Sequence, residues 1–373
     1  MPRTSAARNM HVTSAFSLLI AGAVSAQDAG TFKLPDDLAD AAVKVTSIMS
    51  KAPGGGRNLG YSEGPVGDSE GNLYFTEDNA GSGNIWKVSP TGTTSNFYNG
   101  AGMPNGLEFD NAGKLFSAEK GGVASYDVKT GSSSRKMIAM DPLTSADEVN
   151  SAWRVNDLTL ASNGGMFFTN HGNGNQFLYR NPAGKVKAYT WTQGMAATAL
   201  PVQIPNGAEY IEEKKMLLVT ADGPAKVYRY DVADDGTVSN KTEFASVKEP
   251  DGLTVDEKGN VYIASYGDGT IYVYPSEGKT SIGWIKLGNG GAGNTSNCAF
   301  GGTDGKTLFI TGNGGAYKIP MKVKGRARPG SVSVMRRGTL DLRARGLKAD
   351  IGGYSFDGRK VEAKRPAALL LAR

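Results

Sequence analysis

Apolar and polar positions along this chain alternate in short runs separated by turn residues, a pattern that predicts strands. No long stretch beyond the N-terminus shows the 3, 4 and 7 spacing of a helix. Six segments share one design: Glu63–Glu77, Asn105–Glu119, Asn156–Asn170, Asn206–Ala221, Asp251–Ser265 and Asn297–Thr311. Each opens on an acid or amide, usually followed by glycine. A short apolar stretch follows, then a tight turn such as Glu-Gly-Asn or Asn-Ala-Gly, then a second β-rich stretch. This is a hairpin signature. Between the hairpins lie further strand pairs, such as Asn84–Val88 and Lys226–Tyr230, so that each repeat supplies about four strands. The period of roughly 40–50 residues is that of a propeller blade. The pattern predicts an all-β, six-bladed β-propeller over 27–321. Residues 40–50 (DAAVKVTSIMS) are expected to add an outer strand that closes the ring and protects sheet edges.

The register of the repeats defines a candidate site. The innermost strand of each blade lines the axis, and the first residue of each hairpin stands at its start. Six side chains therefore converge: Glu63, Asn105, Asn156, Asn206, Asp251 and Asn297. Asn-Gly and Asp-Gly also make good turns, which offers a bland reason for their recurrence. Glu63 resists that reason, because glutamate is a poor turn residue yet holds the same register. Two carboxylates with several amide oxygens suit a hard cation such as calcium, which takes six to eight oxygens. With neither imidazole nor thiolate in the set, softer metals are disfavoured. The expected fold is thus a propeller with a central metal site.

Composition narrows the picture further. Arg3 and Arg8, the apolar run Ala15–Val24 and the small residues Ser25-Ala26 read as a signal peptide over 1–26, with a mature start near Gln27 and a periplasmic or secreted location. The run is shorter than the ~20 residues needed to span a bilayer, so no membrane association is expected after cleavage. The net charge of +5 conceals an acidic body, because residues 322–373 are strongly basic. This segment reads as a disordered extension, and the acidic body argues against nucleic acid as a partner. The single cysteine, Cys298, excludes an intramolecular disulfide and reads as a small buried hydrophobe. Only two histidines occur, His11 and His171, which excludes histidine-rich zinc sites and paired-histidine catalysis.

Glu63-Gly64-Pro65, Arg154-Val155-Asn156-Asp157, Asn206-Gly207, Asp251-Gly252-Leu253 and the run from Asn297 to Thr311 (NCAFGGTDGKTLFIT) carry a resemblance to the regucalcin/gluconolactonase family over about 60–321. The last run is the most specific. The resemblance implies a six-bladed propeller with one divalent cation, most often Ca2+, with Zn2+, Mg2+ and Mn2+ as alternatives. It implies metal ligation by Glu63, Asn156, Asn206 and Asp251, and hydrolysis of a small-molecule lactone or related ester. Asp251 would double as general base toward a metal-activated water. Arg154 matches a position that contacts substrate oxygens. The chain departs from the family at Asn170-His171-Gly172, where many members carry Asp-Pro; Asn170 and His171 are therefore candidate substrate contacts peculiar to this chain. The other readings are a propeller that only binds a ligand, and a condensing propeller resembling strictosidine synthase.

Overall fold

The computed structural model describes residues 29–327, apart from 54–56, 80–81, 131–135, 139–153, 172–175, 185, 191–203, 289–293 and 313. The expected signal peptide, and the extension from 328 onward, lie outside the described residues.

Two short strands, β1 (Gly30–Lys33) and β2 (Thr46–Met49), precede the first blade. Blade one comprises β3 (Tyr61–Gly67), β4 (Leu73–Asn79), β5 (Ser82–Val88) and β6 (Thr94–Ala101). Blade two comprises β7 (Leu107–Phe109), β8 (Lys114–Glu119), β9 (Gly122–Asp127) and β10 (Lys136–Met137). Blade three runs through β11 (Val155–Leu160), β12 (Met166–Asn170), β13 (Gln176–Arg180) and β14 (Val186–Thr190). Blade four follows as β15 (Pro205–Ile211), β16 (Met216–Ala221), β17 (Lys226–Val232) and β18 (Val238–Ser246). Blade five has β19 (Pro250–Val255), β20 (Val261–Ser265), β21 (Thr270–Tyr274) and β22 (Gly283–Leu287). Blade six has β23 (Thr295–Gly301), β24 (Thr307–Gly312) and β25 (Gly315–Pro320).

The six sheets are antiparallel meanders, as the repeat predicted. The second strand of a blade is covered on both faces by neighbouring blades, so β16 (MLLVTA) is buried throughout and reads as a continuous apolar run. The outermost strand faces solvent, so β18 (VSNKTEFAS) is largely polar and exposed. The hairpin turns recur through one device. Asp68 Oδ1 accepts from the amides of Glu70 and Asn72, Asp110 from Ala112 and Lys114, and Asp256 from Lys258 and Asn260. The residue three places on is glycine with φ near +80°, a conformation glycine adopts without steric cost.

The ring closes by pairing across the chain. β2 completes blade six as its fourth strand, with Thr46 opposite Lys318. The expected closure by residues 40–50 is thus observed at Thr46–Met49. β1 adds a fifth strand to blade five, with Gly30 opposite Leu287. Six apolar clusters fill the spaces between neighbouring blades. The one joining blades six and one contains Met49, Leu59, Phe75, Trp86 and Phe309. The packed chain continues past 321. Met321 and Val323 are buried, and Arg326 is anchored to blade four, so ordered packing extends five residues beyond the expected boundary. Among the described residues no helix is long and apolar enough to cross a membrane.

Candidate active site

The inner strands are β3, β7, β11, β15, β19 and β23; five of the predicted axial residues stand at the second or third position of their strand, and Asn105 stands two residues before β7. Strand pairing is irregular at this point in five blades. The breaks fall between Glu63 and Val66, Val155 and Leu158, Pro205 and Ala208, Pro250 and Leu253, and Thr295 and Asn297. A bulge re-aims the side chains it contains. Threonines on the second strands tie down the axial backbone, at two of these bulges and at Asn105. Thr76 donates to the Asn105 carbonyl (2.9 Å), Thr169 accepts from the Asp157 amide (3.0 Å), and Thr220 accepts from the Gly207 amide (2.6 Å).

Glycine follows the axial residue because the next blade leaves no space there. A Cβ on Gly64 would stand 2.1 Å from the Asn105 carbonyl oxygen, one on Gly106 would stand 2.1 Å from Asp157 Oδ1, and one on Gly252 would stand 1.9 Å from Asn297 Cγ. The recurrence of Asn-Gly and Asp-Gly therefore reflects close approach between inner strands, not turns.

Glu63 and Asp251 are 2 % and 3 % exposed and adjoin each other at the axis. Tyr61 Oη donates to Glu63 Oε1 (2.8 Å) and lies 3.3 Å from Asp251 Oδ2. Glu63 Oε2 accepts from the Gly64 amide (3.1 Å), and the Asn297 and Asp251 side chains lie beside the Glu63 carboxyl. Burial raises both carboxyls above their ordinary range, and for Asp251 the charge on Glu63 adds to the effect. A third carboxylate was not foreseen. Asp157 is 7 % exposed and accepts from the amides of Leu158 (2.9 Å) and Ala208 (3.2 Å). Burial raises its pKa strongly, with Glu63 and Glu108 contributing repulsion. It occupies the position that is glycine in four of the other repeats, and that departure was its one signal in the sequence. Tyr61 gave no signal, since a strand aromatic is ordinary.

Of the remaining axial residues, Asn206 is 9 % exposed and its Oδ1 is buried without a hydrogen-bond partner among the described residues. Asn105 Oδ1 is in the same state. Asn156 is half-buried, and its carbonyl accepts from the Gly106 amide (2.8 Å). Asn297 Oδ1 accepts from the Cys298 amide (2.8 Å).

Arg154, Asn170 and His171 come together beside this ring. Arg154 is exposed, while the Asn170 side chain is fully buried and its Oδ1 accepts from the Arg154 amide (2.9 Å). The His171 amide donates to the Arg154 carbonyl (2.9 Å). Asn170 thus holds the backbone of Arg154. His171 is partly buried, and its Nε2 has no partner among the described residues. Burial, then the Arg154 charge, lowers its pKa, so the imidazole is neutral at neutral pH.

The donor set fits a hard cation. Two carboxylates gathered out of water repel each other, and a buried amide oxygen without a donor is costly. A divalent cation would satisfy both conditions, with Glu63, Asn156, Asn206 and Asp251 as its holders. Among the described residues no group of three or more His, Cys, Asp and Glu side chains forms a metal cluster; the set is two acids completed by amides.

A sequence profile of the family described as "SMP-30/Gluconolactonase/LRE-like region" matches residues 61–313. The lactonase drp35 of Staphylococcus haemolyticus is 25% identical over 58% of this chain, and the match spans 66% of that relative's length. A gluconolactonase of Xanthomonas campestris superposes with a TM-score of 0.62 at 21% identity, covering 79% of this chain and 95% of its own. The calcium-binding regucalcin of Agrobacterium tumefaciens gives 0.59 at 17% identity, covering 76% and 95%. These superpositions establish the shared fold.

Proposed function

Because the chain belongs to the SMP-30/gluconolactonase/LRE-like family, we propose that it is an exported, metal-dependent hydrolase that opens lactones or related esters. The observation that carries this reading is the buried Glu63–Asp251 pair beside the unpartnered amide oxygen of Asn206. A bound divalent cation, most readily calcium, would polarise the ester carbonyl and acidify a water molecule.

This chain's own residues supply the rest. Asp251 is buried beside Glu63; without a cation these two causes lift it from the ordinary carboxylate range, and a bound cation would return it to the ionised form that a base requires. It would take the proton from the attacking water. Tyr61 fixes Glu63 through its hydroxyl and brings the same donor to Asp251. Arg154 would hold hydroxyl or carboxylate oxygens of the substrate. Asn170 locks the Arg154 backbone, and neutral His171 would offer a hydrogen bond beside it.

The test is a panel of sugar lactones, other cyclic esters and phosphotriesters, assayed with calcium added or chelated. Asp251→Asn keeps a ligating oxygen but cannot accept a proton, so turnover at saturating calcium should fall roughly 10²–10⁴-fold. Glu63→Gln should lose mainly cation affinity, measured by calorimetry, and excess calcium should restore much of the rate. Near wild-type turnover by Asp251→Asn at saturating calcium would remove Asp251 from the role of base. Ligand binding without turnover across the whole panel would favour a binding propeller.

A further inference from the structure

The inner strands have a second end, away from the candidate site. Three to four residues beyond the axial positions, about 10 Å further along the inner strands at ~3.3 Å per residue, stand Glu108, Glu209, Val255 and Phe300. The chain that leaves β25 crosses this end. The Met321 amide donates to the Lys306 carbonyl (2.7 Å) and the Lys322 amide to the Leu38 carbonyl (2.7 Å). Lys324 and Glu257 are joined by two bonds, Glu257 N to the Lys324 carbonyl (2.9 Å) and Lys324 N to Glu257 Oε1 (3.0 Å). Gly325 lies flat on blade six, where a Cβ would stand 2.2 Å from Phe300 Cβ. The Arg326 amide donates to the Val255 carbonyl of blade five (2.8 Å).

The Arg326 side chain then reaches blade four. Its Nη2 donates to Glu209 Oε1 (2.6 Å) and to the Tyr210 carbonyl (2.8 Å), and its Nη1 lies 3.4 Å from Glu213 Oε2. The guanidinium side chain is 9 % exposed and that of Glu209 is 15 % exposed. It also lies in the field of Glu108, on the inner strand of blade two. Exposed ion pairs contribute little. This pair is withdrawn from water, so losing one partner would strand the other's charge.

We propose that Arg326 is a latch that holds the segment 321–326 across the end of the axis opposite the candidate site. That segment spans the inner strands of blades six, five and four, the strands that bear Asn297, Asp251 and Asn206. The guanidinium holds it in place and neutralises Glu209. Residue types alone did not reveal this, because Arg326 lies in the basic stretch that begins at Lys322 and looks like any other member of it.

Cys298 provides the reporter. It is the chain's single cysteine, it is buried, and it shares an apolar cluster with Phe300, Met321 and Val323 of the crossing segment. The experiment follows the labelling rate of Cys298 by an aromatic disulfide reagent in the full-length chain under native conditions. Arg326→Ala should accelerate labelling roughly tenfold or more through local opening. Arg326→Lys should accelerate it too, since an ammonium cannot serve Glu209 and the Tyr210 carbonyl in a planar fork. Millimolar guanidinium should slow the Arg326→Ala rate back toward wild type, and methylammonium should not. Arg229→Ala, which removes an exposed ion pair with Asp231 on an outer strand, should leave the rate unchanged. Wild-type labelling rates in both Arg326 variants would overturn the proposal. So would acceleration that rises with denaturant as steeply as global unfolding does. If Arg326→Ala fails to fold, Arg326→Lys and its response to guanidinium decide the matter.

Discussion

Replacing Gly252 by alanine probes the packing that builds the axis. The backbone at Gly252 lies outside the left-handed region, so alanine brings no conformational strain there. Its methyl would stand 1.9, 2.0 and 2.3 Å from Asn297 Cγ, Oδ1 and Nδ2. Asn297 is short and pinned, since its Oδ1 accepts from the Cys298 amide and the side chain is buried. Either Asn297 turns away or two inner strands separate. Overpacking a filled site costs about 1–3 kcal/mol. Leaving a buried group without its hydrogen bond costs about 1–3 kcal/mol more. A loss of about 2–6 kcal/mol follows, which at about 2–4 °C per kcal/mol lowers the melting midpoint by roughly 4–24 °C. Gly288→Ala is the matched control. Its methyl would meet only Gly30 Cα, at 3.7 Å. That variant should melt within a few degrees of wild type, or slightly higher because alanine restricts the unfolded chain. The measurement is thermal unfolding by circular dichroism, with and without calcium. Equal midpoints for Gly252→Ala and wild type would refute the account of these glycines as contact points between blades.

Two further predictions complete the set. In cation-free protein, Glu63, Asp157 and Asp251 have folded-state pKa values raised above their unfolded values, so their contribution is fully present below about pH 4 and is lost as pH rises through the folded values, at up to about 1.4 kcal/mol per group per pH unit. The melting midpoint in chelator should therefore fall between about pH 5 and 7.5, calcium should reverse the fall, and Asp251→Asn should flatten it; a flat profile for the wild-type chain in chelator would contradict the electrostatics. Glu77, held by Arg57 and the Trp86 indole, has a lowered pKa and acts in the opposite sense, its contribution being lost only as pH falls below its ordinary range. For export, N-terminal sequencing of the secreted protein should begin near Gln27, and a mature chain that retains Ala15–Val24 would overturn that reading.

The fold was legible because each blade repeats its own instructions. The aspartate-to-glycine turns at Asp68, Asp110 and Asp256 recur at blade spacing, and the apolar second strands report their cover on both faces. Thr46–Met49 carries enough β-type residues to be recognised as a closing strand. Gly30–Lys33 does not: four residues with one aromatic contain no alternation to read, and only the partner strand β22 makes them a strand. The axial register was legible at Glu63 and Asp251 because acids interrupt a series of amides. Asp157 escaped because the neighbouring Asn156 already filled the register. The role of Arg326 depends on Glu209 and Tyr210, more than 110 positions away in the chain. Local pattern cannot report such a contact.

The same comparison bears on why the carboxylates stand where they do. Six inner strands that meet at an axis need short polar groups able to hydrogen-bond across narrow gaps. Amides meet that need: Asn297 bonds its own strand beside Glu63 while remaining neutral. Were the axis only a structural seam, asparagine at all six positions would serve without charge repulsion. Instead Glu63, Asp157 and Asp251 are buried within one another's fields, and every one of them is shifted toward the protonated form. That direction marks groups whose ionised forms oppose folding. Strain of this kind concentrates at working sites, where local rules are broken for the sake of chemistry. The unpartnered Asn206 oxygen beside them points the same way, since a seam built for stability would supply it with a donor. The axis is thus poorly arranged for folding alone, which is what the proposed cation site would require of it.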